Sequence, residues 1–535
     1  MFTRDFLYLV VSALQFILTA MATPILTRRV SPDQFGQLAL CATVMQILGP
    51  IFGFGLPYAS QKVFAGEGAR RARGVLAISV VMAAAACVVV TLAAPAWGPA
   101  VGLYRLLDAR LAALWGALLA VTWTCLAMLR SRERLGMAIF VAALQSVGAQ
   151  ATGLALLYLW SPNITSYLCG VIIGQGTAAL VGLIALRPAW SALAAIRRYG
   201  RAFLFGLPMV PQQLSGFILF AGDRIVVRHD LGSAATGRYS VAYNVGALGV
   251  TLLVFVNQAW MPRIYAMKDR AVRSRLLASS RDMMNLLLIP VVCGLGAGAP
   301  VVLRLWAPPS FHPASLTLIV AIVAIYAFPY GQFLSNLRAL MSEGKTGRAA
   351  LTTLIAAVVN VGLNIILVPL IGITGSAIAT VVSFLLLARL TRQPAGSGLK
   401  VPGISPFLGA LILAGAGATL ALGALPSTRL WLAIRLAVCV VAALTLVLLM
   451  RRAMSGYEPS GRLMTQAAEA SRHRQVRTVR PGQSQGRGRS RGHSRPVRAA
   501  AAPRRSGSPG RHRRSSSSAP RGDVRHQLQE RPLRM

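Results

Sequence analysis

Few residues in this chain could do chemistry, and the two that stand out are adjacent. The segment FILFAGDRIVVRHDLGSAATGRYSVAY (217–243) sets Asp223 beside Arg224 where an apolar run beginning at Ala202 meets a short polar gap. Arginine holds oxyanions through paired, planar N–H donors, and a neighbouring carboxylate neutralises it when no anion is bound. The pair therefore fits a polar cavity. It fits as well the end of a membrane helix at the lipid–water boundary, where charge is tolerated. Amides supply the other polar groups inside apolar runs: Gln212 and Gln213, Asn244, Asn257 and Gln258, Asn285, Asn336, and Asn360 with Asn364, which share a helical face at i and i+4. Intramembrane amides more often tie helices together than bind a ligand. Their concentration in the second half of the chain nevertheless points to an asymmetric polar cavity. Six cysteines stand singly in or beside apolar runs with no Cys-x-x-Cys spacing, so neither a metal site nor a disulfide framework is indicated. Phosphate-loop and metal motifs are absent as well, which leaves no sign of ATP-driven chemistry.

The elements that must position these groups are membrane helices. Of 535 residues, 55% are hydrophobic and 13% charged, with a mean hydropathy of +0.60, more apolar surface than a soluble core can absorb. About fourteen apolar runs of bilayer-spanning length follow one another from 6–27 to 430–450. They are too long and too evenly apolar for the alternating strands of a barrel. The fold class expected is an all-α polytopic membrane protein. The first run continues past the small-residue stretch Ala20, Met21, Ala22 to Leu26 and reads as a retained helix rather than a cleaved signal. Loops after even-numbered helices hold about 23 Lys and Arg against about 9 after odd-numbered ones, which places both termini in the cytoplasm by the positive-inside rule. Pro208 and Pro211 should break or bend helix 7.

An internal repeat organises the runs. VSPDQFGQLAL (30–40) aligns without gaps on LGSAATGRYSV (231–241), superposing Gly36 on Gly237 and Ser31 on Gly232. QATGLALLYLWSPNIT (150–165) aligns on VNVGLNIILVPLIGIT (359–374), superposing Gly153 on Gly362 and Thr165 on Thr374. Six crossings separate the equivalents, so both copies keep one orientation, and two parallel six-helix bundles plus two C-terminal helices are expected. The divisions are 1–186 and 202–391 for the bundles, 187–201 for a cytoplasmic linker, 392–450 for helices 13 and 14, and 451–535 for a disordered basic tail. Such pseudo-symmetry commonly places a substrate cavity between the bundles.

The stretches GLPMVPQQLSGFILFAGDRIVV, LGSAATGRYSVAYNVG and NQAWMPRIY (257–265), with TPILTRRVSPDQFGQLAL and NIILVPLIGITGSAIATVVS (364–383), resemble the polysaccharide (O-antigen and exopolysaccharide repeat-unit) flippases of the multidrug/oligosaccharidyl-lipid/polysaccharide transporter superfamily. The likeness covers roughly residues 1 to 450 and implies a multi-pass protein of the bacterial inner membrane. By alternating access it would move an undecaprenyl-diphosphate-linked oligosaccharide from the cytoplasmic to the periplasmic leaflet for polysaccharide biosynthesis. Related lipid II flippases have an Arg-Asp pair within helix 1. Here the repeat sets Ala22 and Thr23 opposite Asp223 and Arg224, which favours an exopolysaccharide or O-antigen unit over lipid II.

On this reading Arg224 and Asp223, with Gln212, Gln213, Asn244, Asn257, Gln258, Asn336, Asn360 and Asn364, form the substrate path. Arg338 and Lys345 would collect the diphosphate on the cytoplasmic side, although positive-inside topology explains them too. No cofactor or metal is expected; a coupling ion, H⁺ or Na⁺, is left open. Partners are the lipid-linked oligosaccharide, a polysaccharide polymerase, and anionic lipids on the tail, where about 21 arginines meet four acids. Without aromatics to stack bases, that tail is a poor nucleic-acid binder. A multidrug antiporter of the same superfamily would need acidic residues inside the helices, and the whole chain has 14 Asp and Glu. A polysaccharide polymerase or ligase would need catalytic carboxylates or histidines in sizeable outer loops, which are short here.

Overall fold

The computed structural model describes residues 18, 20–254, 269–393, 399, 401–426 and 428–455. The candidates Asn257 and Gln258 and almost all of the basic tail lie outside the described residues. The described chain is helical throughout: α1 (20–27), α2 (Pro32–Gly53), α3 (Leu56–Leu92), α4 (Leu106–Ser131), α5 (Leu135–Leu159), α6 (Ile164–Leu186), α7 (Met209–Ala221), α8 (Asp223–Gly246), α9 (Arg270–Trp306), α10 (Pro313–Ser342), α11 (Thr346–Ile371), α12 (Ile373–Leu390), α13 (Pro406–Ala424) and α14 (Arg429–Ser455).

Ten stretches are long and apolar enough to cross a membrane, or up to 11 if the bent pair at α7 is one span. The expected number was about fourteen, counted over the whole sequence. α2 and α3 join through the left-handed residues Phe54 and Gly55 into one 61-residue stretch. Most of the first run lies outside the described residues.

Local sequence sets the ends of the elements. Ser31 opens α2 with a capping box, accepting from the Gln34 amide at 3.2 Å while the Gln34 side chain accepts from the Ser31 amide, and Pro32 occupies the first turn. Asn163 caps α6 by accepting from the Ser166 amide at 2.9 Å, so this asparagine of a glycosylation-like triplet has a structural task. Pro208 separates the short helix Gly200–Gly206 from α7, and the chain bends there by 46°.

One boundary differs from expectation in a way that matters. Helix 7 does not end at residue 221: after a turn at Gly222 the helix runs on through Leu231 and breaks at Gly232, at φ 84° and ψ 178°. That φ is strained for any residue with a side chain. The break falls where the repeat sets Gly232 on Ser31, the cap of α2. Asp223 and Arg224 thus lie within the helix.

The first six helices pack chiefly among themselves, as α3 does on α4 and α5 on α6, and so do the next six, as α11 does on α12 and α7 on α11. α13 and α14 lie against α9. The most extensive contact across the two groups is α2 on α8. Its closest point is Gly36 against Gly237, the pair the repeat superposes. A Cβ on Gly36 would fall 1.9 Å from the Ser233 carbonyl oxygen, and one on Gly237 would fall 2.0 Å from that of Pro32. This reciprocity, each glycine facing the carbonyl four residues before the other, is the mark of an approximate two-fold axis. A second close approach pairs Gly55 with Gly206, about 28 Å further along at 1.5 Å per helical residue.

Candidate functional site: a central cavity with a single charged residue

A cavity of about 620 Å³ lies between the two groups of helices, along the stretch of α2 between the two glycine contacts. Both groups line it: Thr23 and Gln46 from α1 and α2, Trp115, Gln150 and Tyr167 from α4 to α6, and Arg224, Tyr243, Asn244, Trp306 and Tyr326 from α8 to α10. Among the described lining residues, Arg224 is the one charged side chain. Its repeat partner Thr23 faces the same space, so one side of the cavity is cationic and the other neutral.

Burial decides the question the charged pair raised. Asp223 is 2% exposed and Arg224 8%, which excludes a boundary position in open solvent. Asp223 takes a hydrogen bond from the Tyr239 hydroxyl and pairs with Arg224 Nη1 at 3.3 Å. The same Nη1 donates to the Phe220 carbonyl at 3.2 Å, and the guanidinium lies 4.6 Å over the Tyr243 ring. Tyr243 stacks in turn on Tyr326 at 6.0 Å. The polar contacts of the arginine fall on Nη1 and the Tyr243 ring covers one face; its Nε and Nη2 donate to no group among the described residues. The arrangement is a fixed guanidinium with an open donor edge on a cavity, suited to an oxyanion.

The other candidates divide. Asn244 is exposed to the central cavity. Gln213 lines a second cavity of about 560 Å³ together with Tyr58, Arg130 and Gln145. Phe217 borders both cavities and stacks on Trp123 with centroids 5.8 Å apart. Gln212 is half-buried and lines neither.

Asn336 donates to the Ala388 carbonyl at 2.9 Å and ties α10 to α12. Asn360 and Asn364 are fully buried in α11 and bond to each other, the Asn364 amide donating to the Asn360 carbonyl at 2.8 Å. Arg338, 2% exposed, donates to Ser280 at 3.3 Å between α9 and α10. Lys345 pairs with Glu343 at 2.9 Å. None of these five side chains lines the central cavity.

Sequence reasoning passed over Gln46, Gln150 and the aromatic wall of Trp115, Tyr167, Tyr243, Trp306 and Tyr326. Tyr239 and Tyr243, at i and i+4 beyond the charged pair, were the available signal.

Residues 2–268 match the sequence profile of a family described as polysaccharide biosynthesis protein. The succinoglycan biosynthesis transport protein ExoT of Rhizobium meliloti is 28% identical over 301 residues, 53% of this chain and 57% of that protein. The probable flippase AglR of Haloferax volcanii is 24% identical over 299 residues, 54% of this chain and 61% of that one. The matched stretch thus spans less than two thirds of either relative. Among solved structures, the lipid II flippase MurJ in an inward closed conformation superposes with a TM-score of 0.61 at 15% identity, covering 84% of this chain and 99% of its own. An inward-facing multidrug resistance MATE family transporter of the MOP superfamily gives 0.55 at 15% identity, covering 76% and 94%. This multi-pass membrane chain, on the fold those two transporters share, belongs to the polysaccharide biosynthesis protein family.

Proposed function

We propose that the protein translocates an undecaprenyl-diphosphate-linked oligosaccharide across the bacterial inner membrane by alternating access, without covalent chemistry of its own. The observation that carries this reading is the open edge of Arg224, the single described charge on a cavity whose wall otherwise mixes aliphatic and aromatic side chains with hydroxyl and amide groups. A diphosphate needs a cation and a sugar needs hydroxyl or amide partners, because unpaired polar groups at membrane depth cost several kcal/mol. A volume of about 620 Å³ is of the size that takes a headgroup, leaving the polyprenyl tail in lipid. On the positive-inside rule the Gly55 end faces the cytoplasm and the Gly36 end the periplasm.

A cation antiporter is the weaker reading. It needs carboxylates turned to the cavity, whereas Asp223 is committed to Tyr239 and Arg224. An exopolysaccharide or O-antigen unit is favoured over lipid II because Thr23 stands where an N-terminal charged pair would be required.

The test is complementation of a deletion strain. With the parental gene, the lipid-linked glycan is found processed in the periplasm. With Arg224→Ala at equal protein abundance, it should accumulate on the cytoplasmic leaflet. Undiminished polymer export by that variant would remove the proposal, and comparing export under collapsed H⁺ and Na⁺ gradients identifies any coupling ion.

A further inference from the structure

A third cavity, away from the central one, has a different composition. Its volume is about 350 Å³, and it opens where α10 and α12 end, walled by residues 401–404 of the segment leading to α13. Arg281 builds that wall. It is 2% exposed, pairs with Asp282 at 2.7 Å, and donates to the carbonyls of Pro402 and Gly403. Its charge and donors are thereby committed.

Arg389 and Arg392 are another matter. Both line the cavity and are exposed, and neither side chain makes a hydrogen bond or ion pair among the described residues. Cations at a helix C-terminus suit the dipole of α12, but the dipole alone does not account for a cavity in front of them. Nor does it account for Gln332. The Gln332 amide nitrogen donates to Asn336 at 3.1 Å, which fixes the orientation of the group and leaves its carbonyl oxygen buried with no donor among the described residues. Gln393 lines the same cavity with its Nε2 buried and without an acceptor among the described residues, so the vacant positions call for one anion among the two arginines and this amide, and one hydroxyl beside it.

We propose that this cavity binds the headgroup of an anionic glycerophospholipid, the phosphodiester held by Arg389 and Arg392 and a headgroup hydroxyl donating to Gln332 Oε1. Apolar surface for the acyl chains adjoins it. Leu385, one turn before Arg389 on the same face of α12, is 54% exposed, and Phe407 at the start of α13 is 79% exposed. A free phosphate would use the arginines but not the apolar flank. The site rests on different residues from those proposed for translocation and can fail independently of it.

The experiment uses the full chain in a neutral detergent, titrating short-chain phosphatidylglycerol and reading the thermal unfolding midpoint. Parallel titrations use short-chain phosphatidic acid, phosphatidylcholine and inorganic phosphate. Phosphatidylglycerol should raise the midpoint saturably, with a half-saturation concentration about thirtyfold higher in the Arg389→Gln, Arg392→Gln double variant. The double lysine variant should recover most of the loss, which separates binding from folding. Gln332→Leu should reduce phosphatidylglycerol to the level of phosphatidic acid, which has no headgroup hydroxyl beyond the phosphate, and leave phosphatidic acid unchanged. The same half-saturation in the double glutamine variant, as binding to the basic tail would give, overturns the proposal. So does a shift reproduced by phosphatidylcholine or by inorganic phosphate.

Discussion

Among the described residues are two adjacent pairs of opposite charge with a buried arginine, Asp223–Arg224 and Arg281–Asp282, and the structure uses them in opposite ways. At 281 each guanidinium nitrogen is engaged: Nε and Nη2 meet Asp282, and Nη1 and Nη2 donate to the carbonyls of Pro402 and Gly403. The result is a clamp fastening the α12–α13 segment to α9. At 224 the protein contacts fall on one nitrogen and one ring face, and the opposite edge borders a cavity. Adjacency of charge therefore says little about function. What distinguishes a working arginine from a structural one is the direction of the donors left over after its carboxylate is satisfied.

Substitutions can break that contrast. Arg224→Ala should abolish glycan export and also leave the Asp223 carboxylate buried without its cation, a loss of about 3–5 kcal/mol of stability. The Asp223→Asn, Arg224→Gln double variant should recover the stability, read by thermal unfolding, but not the export. Arg281→Ala should cost about 3 kcal/mol, at the lower end of the same range because Asp282 is 36% exposed. Export per folded molecule should persist, and its disappearance would erase the distinction drawn between the two pairs.

Tyr239→Phe removes a hydroxyl bonded to Asp223 and should lower stability by about 1.5–3 kcal/mol while Arg224 keeps its open edge, so export should survive. The smallest effect concerns Glu343, just beyond the end of α10. Burial would raise its carboxyl, but the Lys345 ammonium at 2.9 Å outweighs burial and holds it below its ordinary value of 4.5. The stabilisation is present above that value and lost as pH falls through the depressed one. Lys345→Gln should lower the unfolding midpoint slightly at neutral pH and leave it unchanged at the acid end, so that the acid limb flattens.

Much of the helical plan was legible because uninterrupted apolar runs of bilayer length admit little else. The exact extent of helix 7 was not. The charges at 223 and 224 imitate a terminus, and an ion pair with a tyrosine partner can remain inside a helix bundle only through contacts that a linear reading does not reveal. The correction was nevertheless encoded: the alignment of Gly232 with Ser31 already set the end of helix 7 beside that of helix 1. The cavity wall was the least visible part, since Trp115, Tyr167 and Tyr326 in an apolar run look the same whether they face lipid, core or cavity. The amides at 336, 360 and 364 are as polar as Asn244, and only packing separates those that bond to neighbouring helices or to each other from the one that faces the cavity.

The glycine contact between α2 and α8 has a genetic consequence. Because the two helices meet across a near-symmetric crossing, a methyl group introduced at 36 and one introduced at 237 press the same two backbones apart along the same direction. The first alanine, at either position, bears the whole burden of widening. The second enters a gap already opened, so the two lesions should combine to much less than their sum.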